Sequence, residues 1–193
     1  MSAQLALLEP VQSVGTRSAT FSDDGIYRYL LERAWEVPEL GAMAQRRTIL
    51  WVLLNPSTAD AFQDDPTVRR ITNYSRDWGF TDLRLVNLFG FRATKPAELW
   101  SQRAAGVDII GPANDRSLFR AAWSASQVVV GWGAGAHRCP KRVVQVLELL
   151  EGSPAVAWSG NPVSCLGTTL DGHPRHPLYL RREEQLVPFE RRG

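Results

Sequence analysis

The sequence has little of what marks several functional classes. Its 2 cysteines, Cys139 and Cys165, lack the paired spacing of a zinc site or a disulfide framework. Two buried thiols in a reducing compartment are the expectation. No stretch is long and apolar enough to span a bilayer. Residues 1–14 carry no basic head before their mildly apolar run, unlike a secretory signal. Both absences point to the cytoplasm and away from a membrane. An excess of one charge is also missing. The net charge is only +2, so composition does not mark a dedicated nucleic-acid binder. Lysine is scarce, and nearly all of the 22 basic residues are arginine, whose planar fork suits phosphate and carboxylate.

What is present fits one globular domain. The chain has 193 residues, 44% hydrophobic and 22% charged, enough for a single sizeable core. There is no repeat and no low-complexity linker. Residues 1–18 read as a loose N-terminal arm and 19–193 as the domain. An Asp-Gly pair at Asp24-Gly25, between residues 19–22 and 27–33, predicts a β-hairpin.

Next comes the apolar run 48–54, which lacks alternation and so predicts a strand covered on both faces. Asp65 and Pro66 then open a helix over 66–78, which Gly79 ends. Further strands are expected at 83–89, 127–132 and 155–158, with helices at 114–124 and 141–150. Strands alternating with helices predict an α/β fold: a three-layer α/β/α arrangement around a central, mostly parallel, four-stranded sheet, plus the N-terminal hairpin. Ligands of such sheets bind outside the carboxyl ends of the strands.

Polar residues fall at those ends. Leu53-Leu54 leads into Asn55-Pro56-Ser57-Thr58-Ala59-Asp60. The Asn55 amide can hold a water or read a base edge, Pro56 fixes the backbone, and Ser57 and Thr58 can cap a turn or bind phosphate. The same residues also serve a plain strand-to-helix turn. Asp60, Asp64 and Asp65 put three carboxylates within six residues, enough for a general base or a divalent cation. Helix capping accounts for Asp65 and leaves Asp60 and Asp64 as the functional candidates.

Asn87, Phe89, Phe91 and Arg92 follow the second strand and combine an amide, two rings and a guanidinium. Such rings stack on bases, or fill a core at strand spacing. Gly131, Trp132 and Gly133 can bring backbone close to a phosphate or base. Gly172-His173-Pro174-Arg175-His176-Pro177 holds two of the 3 histidines on a proline-stiffened loop. There a histidine suits donation to a leaving group better than metal ligation.

These motifs, from Tyr27-Arg28-Tyr29-Leu30 through Asn55-Pro56-Ser57-Thr58, Asp64-Asp65-Pro66-Thr67, Asn87-Leu88-Phe89 and Gly111-Pro112-Ala113-Asn114-Asp115 to His173-Pro174-Arg175-His176-Pro177-Leu178-Tyr179, resemble an uncharacterised bacterial and phage family, domain of unknown function 1643. More distantly, Leu54-Asn55-Pro56 after the first strand, Asn87 after the second and the late His176-Pro177 are similar to the motif order of the uracil-DNA glycosylase superfamily. Leu54 and Ser57 stand where that superfamily often has glycine.

That likeness implies roles. Asn55 would orient the attacking water, with Asp60 as a neighbour. Asn87 would bond the base edge, and His176 would stabilise the departing base. Phe89 or Phe91 would stack on it. The superfamily's arginine-and-leucine loop after His-Pro is not evident here, and Arg175 and Arg181-Arg182 would contact phosphates instead. From the residues themselves, Ser57, Thr58, Asp64, Arg92, the 131–133 loop and His173 are further expected substrate contacts. The implied partner is DNA, or a nucleotide or nucleoside, and no metal or organic cofactor is required. Two other readings are a nucleobase- or nucleotide-binding or base-modification protein without glycosylase activity, with the acidic cluster then more important and a divalent metal as its partner, and an interaction protein using residues 27–35 as its face.

Overall fold

The Asp24-Gly25 turn acts as its chemistry predicts. In the computed structural model, which describes residues 15–37 and 46–190, β1 (Arg17–Phe21) and β2 (Arg28–Ala34) pair antiparallel across it. Gly25 takes the left-handed φ of 70° that the turn requires. Residues 17 and 18 of the expected arm already belong to this pairing, and residues 1–14 lie outside the described part. The hairpin is not an appendage, because β2 continues into the main sheet.

The apolar run becomes β3 (Thr48–Leu53), buried at every position. α1 (Pro66–Asp77) starts where the caps predict: the Asp65 carboxylate accepts from the Val68 amide at 2.8 Å and Pro66 takes the first turn. A cap of this kind contributes about 1 kcal/mol. β4 (Asp82–Asn87) follows, then α2 (Pro96–Ala104), α3 (Asn114–Trp123), β5 (Gln127–Val130) and α4 (Pro140–Glu151).

Residues 155–158 are not the expected fourth strand. Ser153-Pro154 opens a short helix, α5 (Pro154–Ala157), in which the Ala157 amide donates to the Ser153 carbonyl. Four apolar residues fit either element, and the proline at the first helical position decides between them. The place beside β5 is taken by β6 (Ser164–Cys165), and β7 (Val187–Pro188) closes the edge.

The fold is mixed α/β with seven strands in the order β1-β2-β4-β3-β5-β6-β7 and five α-helices among the described residues. β4, β3, β5 and β6 run parallel, flanked by antiparallel pairs on both sides. Alternate side chains of β3 part to the two faces. Ile49, Trp51 and Leu53 pack with Val68, Ile71 and Tyr74 of α1. Leu50 and Val52 pack with Leu118 of α3, Val146 of α4 and Ala155 of α5. Both cysteines are free and buried. Among the described residues no helix is long and apolar enough to cross a membrane.

Candidate functional site

The chain order of the parallel strands reverses at β3: β4 lies on one side of it and β5 on the other. Crevices at such switch points, beyond the carboxyl ends of the strands, are where α/β sheets hold ligands. A cavity of about 480 Å³ occupies this place. Asn55, Ser57 and Thr58 from the loop after β3, Asn87 from the end of β4, Trp132 and Gly133 from the loop after β5, and His176 all line it. The register explains the meeting. Leu53 pairs with Asn87, and the pairing continues past the strands through Leu88 N–H to Leu53 O and Phe89 N–H to Leu54 O.

The Asn55 side-chain nitrogen donates to the carbonyl oxygens of Pro56 at 2.9 Å and Ala93 at 2.8 Å. Two carbonyls can only face the NH₂ side, so the amide orientation is fixed. Its Oδ1 remains as an acceptor. Asn87 is buried, and its side-chain N–H group has no acceptor among the described residues. Leu178 N–H donates to Nδ1 of His176 at 3.3 Å. The neutral imidazole therefore carries its proton on Nε2. Burial pushes the His176 pKa down, and the Asp65 carboxylate opposes that shift.

The glycines act differently from the expectation of a phosphate cradle. A Cβ on Gly131 would stand 3.1 Å from Pro177 Cδ, and one on Gly133 would stand 3.4 Å from His176 Cβ. Gly133 N–H donates to Pro174 O at 2.9 Å. These residues let the histidine loop lie against the end of β5. Tyr74 Oη and the Arg70 guanidinium, both on α1, hold the other end of that loop through the carbonyls of Arg181 and Leu180.

Several expected contacts lie elsewhere. Pro56 is buried behind the wall, where its carbonyl also accepts from the Ala93 amide. Phe89 is a core residue in edge contact with Trp100. Phe91 and Arg92 line a separate depression that shares Ser57, Thr58, Ala93 and Thr94 with the cavity. The Arg92 guanidinium there donates to Gly25 O and sits 4.9 Å from the Phe21 ring. His173 neighbours His137, and Arg175 reaches Glu184 at 3.7 Å; neither lines the cavity.

Asp60 is engaged with its own loop, and Asp64 with the β1–β2 hairpin. Asp60 Oδ1 accepts from the Phe62 and Gln63 amides, and these hold its carboxyl below the usual range. Asp64 is paired with Arg33 and Arg17. The expectation for the three carboxylates is thus inverted, because Asp65 both caps α1 and lines the cavity. Residues 27–35, the alternative interaction face, are mostly an internal strand with Tyr29 and Leu31 buried.

Arg28, like Asp65, is a lining residue that sequence reasoning left out of the site. It is 2% exposed and lines the cavity. Its guanidinium donates to Ala59 O at 2.8 Å, while Nε has no acceptor among the described residues. Burial pushes its pKa down to about 10, partly offset by Asp65. The only hint was an arginine set between Tyr27 and Tyr29 in a strand that otherwise starts aromatic and apolar. Trp132 Nε1 is a third buried donor without an acceptor on this lining. Unpaired buried donors each cost about 1–3 kcal/mol, so a ligand that supplies acceptors to them is favoured by that much.

A family model described as "Protein of unknown function (DUF1643)" matches residues 28–178, and the chain belongs to that family. No curated protein and no solved structure matches it.

Proposed function

We propose that the protein is a uracil-DNA glycosylase-like hydrolase, which takes one nucleobase of DNA into the cavity and cleaves its N-glycosidic bond. The observation that carries this reading is the meeting of Asn55, Asn87 and His176 in one cavity, each with a defined and unused hydrogen-bonding group. Helices on both faces of a sheet with a parallel centre also suit the α/β/α arrangement of that superfamily.

In this mechanism the C1′–N bond breaks and its electron pair leaves with the base. Asn87 N–H and His176 Nε2–H donate to the base as negative charge develops, with the Arg28 cation behind them. Removing one such preorganised donor typically costs about 10²–10³ in rate. Asn55 Oδ1 orients a water toward C1′. Asp65 is the one carboxylate on the lining, and its Oδ1 is used by the Val68 amide. Its second oxygen is the acceptor for the proton that the water loses, and the departed base anion is protonated from solvent.

A second reading, a nucleobase- or nucleotide-binding protein that does not cleave, is favoured by Arg28, whose buried cation suits an anionic ligand as well as a departing base. Incubation with single- and double-stranded oligonucleotides carrying uracil, hypoxanthine or other altered bases separates the two. Abasic sites that vanish in Asn55→Ala and His176→Ala support hydrolysis. Saturable binding without abasic sites on any substrate gives the second reading.

A further inference from the structure

Apolar side chains sit on two faces of α3. Leu118, Ala121 and Ala122 enter the core, on the one face that a surface helix normally buries. Phe119 and Trp123 stand outside it, 37% and 53% exposed, and Trp158 at the end of α5 is 78% exposed. One exposed ring is ordinary on a protein surface, and a joined set is not. These three are joined. The Phe119 and Trp123 rings lie 5.5 Å apart and tilted by 57°, and the Trp123 and Trp158 rings 6.4 Å apart at 72°.

The charge beside them has one sign. Arg116 precedes Phe119 by one helical turn and Arg120 precedes Trp123 by one turn, so the guanidinium groups and the rings share a face. Both arginines are exposed, and neither forms an ion pair among the described residues. The one carboxylate of α3, Asp115, is held by buried Arg142. Tryptophan and arginine are enriched among the side chains that dominate binding at protein interfaces.

The patch is remote from the cavity. α3 starts at the carboxyl end of β4, where Asn114 donates to Asn87 O at 3.1 Å, and runs back to the amino end of β5. None of the three rings lines the cavity. A partner bound here leaves the cavity open.

We propose that this face docks an acidic segment of another protein, which rests an aromatic or leucine side chain on the Trp123 and Trp158 rings and sets carboxylates against Arg116 and Arg120. Cations without partners call for the opposite charge. The ring geometry selects the kind of polymer. A single strand of nucleic acid stacks successive bases on aromatic faces, and rings tilted by 57° and 72° do not offer faces in parallel. An angled pair forms a corner that one apolar side chain fills. A second copy of the chain fits less well, because in a symmetric pair the patch meets itself and arginine faces arginine.

Short random peptides are selected on the parent protein, and the selected peptides are titrated by fluorescence anisotropy. The expected sequences are rich in Asp and Glu around a Phe, Trp or Leu. Trp123→Ala and Trp158→Ala are each expected to weaken a selected peptide by roughly tenfold or more, the level of a hot-spot side chain. Arg116→Glu and Arg120→Glu, made together on exposed positions, are expected to weaken it likewise and to leave thermal unfolding unchanged. Added salt is expected to lower the affinity of the parent.

Selected peptides without an acidic bias overturn the proposal, as does an affinity unchanged in the ring variants or in the charge reversal. Oligothymidylate that binds more tightly than the peptides, and loses that binding in Trp158→Ala, would make the face a nucleic-acid platform. Self-association of the parent that is lost in Trp158→Ala would make it a contact between copies. Either result also overturns the acidic partner.

Discussion

The side chain of Asn55 donates to the carbonyl of Ala93 at 2.8 Å and so ties the loop after β3 to the loop after β4. Its second N–H donates to Pro56 O. Asn55 is therefore a brace, and its Oδ1 is left as an acceptor. Asn55→Ala removes two hydrogen bonds and is expected to lower stability by about 1–3 kcal/mol. Asn55→Asp places a carboxylate against two carbonyl oxygens and is expected to lower it further. Urea unfolding of the two variants checks the order. Asn55→Asp as stable as Asn55→Ala at neutral pH would mean that the amide does not face both carbonyls.

Asp65 separates stability from chemistry. Asparagine caps a helix about as well as aspartate, and alanine does not. Asp65→Asn is expected to unfold with the parent, while Asp65→Ala loses about 1 kcal/mol. Both lose the carboxylate that raises the His176 pKa. An NMR titration is expected to show that pKa falling in both variants. No movement in Asp65→Asn would remove Asp65 from the electrostatics of the site.

The pH dependence of folding follows from His176. Burial holds its pKa below the ordinary 6.5, so near that pH the unfolded chain binds more protons than the native one. This contribution is complete above about pH 6.5 and is lost as pH falls toward the folded value. Protonation of Nδ1 would also break its bond with the Leu178 amide. The urea midpoint of His176→Gln, followed from about pH 7 to pH 5, is expected to fall less steeply than that of the parent. Parallel curves would show that His176 is not buried as neutral imidazole.

Much of the frame was legible in the sequence, and the reasons are local. The 48–54 run, the Asp65-Pro66 cap and the Asp24-Gly25 turn each carry their structure in a few adjacent residues. Asn55, Asn87, Trp132 and Gly133 were found because they follow strand ends, and the sheet brings strand ends together; His176 was found from its proline-stiffened loop and the likeness to a His-Pro motif. Arg28 and Asp65 were not assigned to the site. Hairpin pairing and helix capping each gave a sufficient local reason for the residue, and the second role depends on what the sheet places opposite. Phe89 and Phe91 failed as stacking residues for the converse reason: a ring suited to a base is equally suited to a core. β6 has two residues and leaves no periodic trace.

Arg28 offers a test in which stability and function move apart. A buried guanidinium pays several kcal/mol of desolvation, and its one hydrogen bond among the described residues, to Ala59 O, returns about 1.5–3 kcal/mol. Arg28→Met keeps the side-chain length and removes the charge. It is expected to leave the unfolding midpoint unchanged or to raise it, while abolishing ligand binding or cleavage. Arg28→Lys keeps the charge but not the fork and is expected to fall between the two in function. A large loss of stability in Arg28→Met would show that Arg28 holds the β3 loop and not a ligand.

Gly133 tests whether the position of His176 sets the activity. Its φ of 71° and ψ of 179° lie in a region that only glycine adopts readily. A Cβ there would lie in contact with His176 Cβ at 3.4 Å. Gly133→Ala is expected to cost about 1–3 kcal/mol from backbone strain. Gly25 has a similar φ of 70° but nothing within 4 Å of a Cβ, and it lies outside the cavity lining. Gly25→Ala therefore carries strain without touching the histidine loop. If the position of His176 matters, Gly133→Ala loses activity at temperatures where both variants are fully folded, and Gly25→Ala does not. Equal activity in the two folded variants would leave the 131–133 glycines as fold determinants alone.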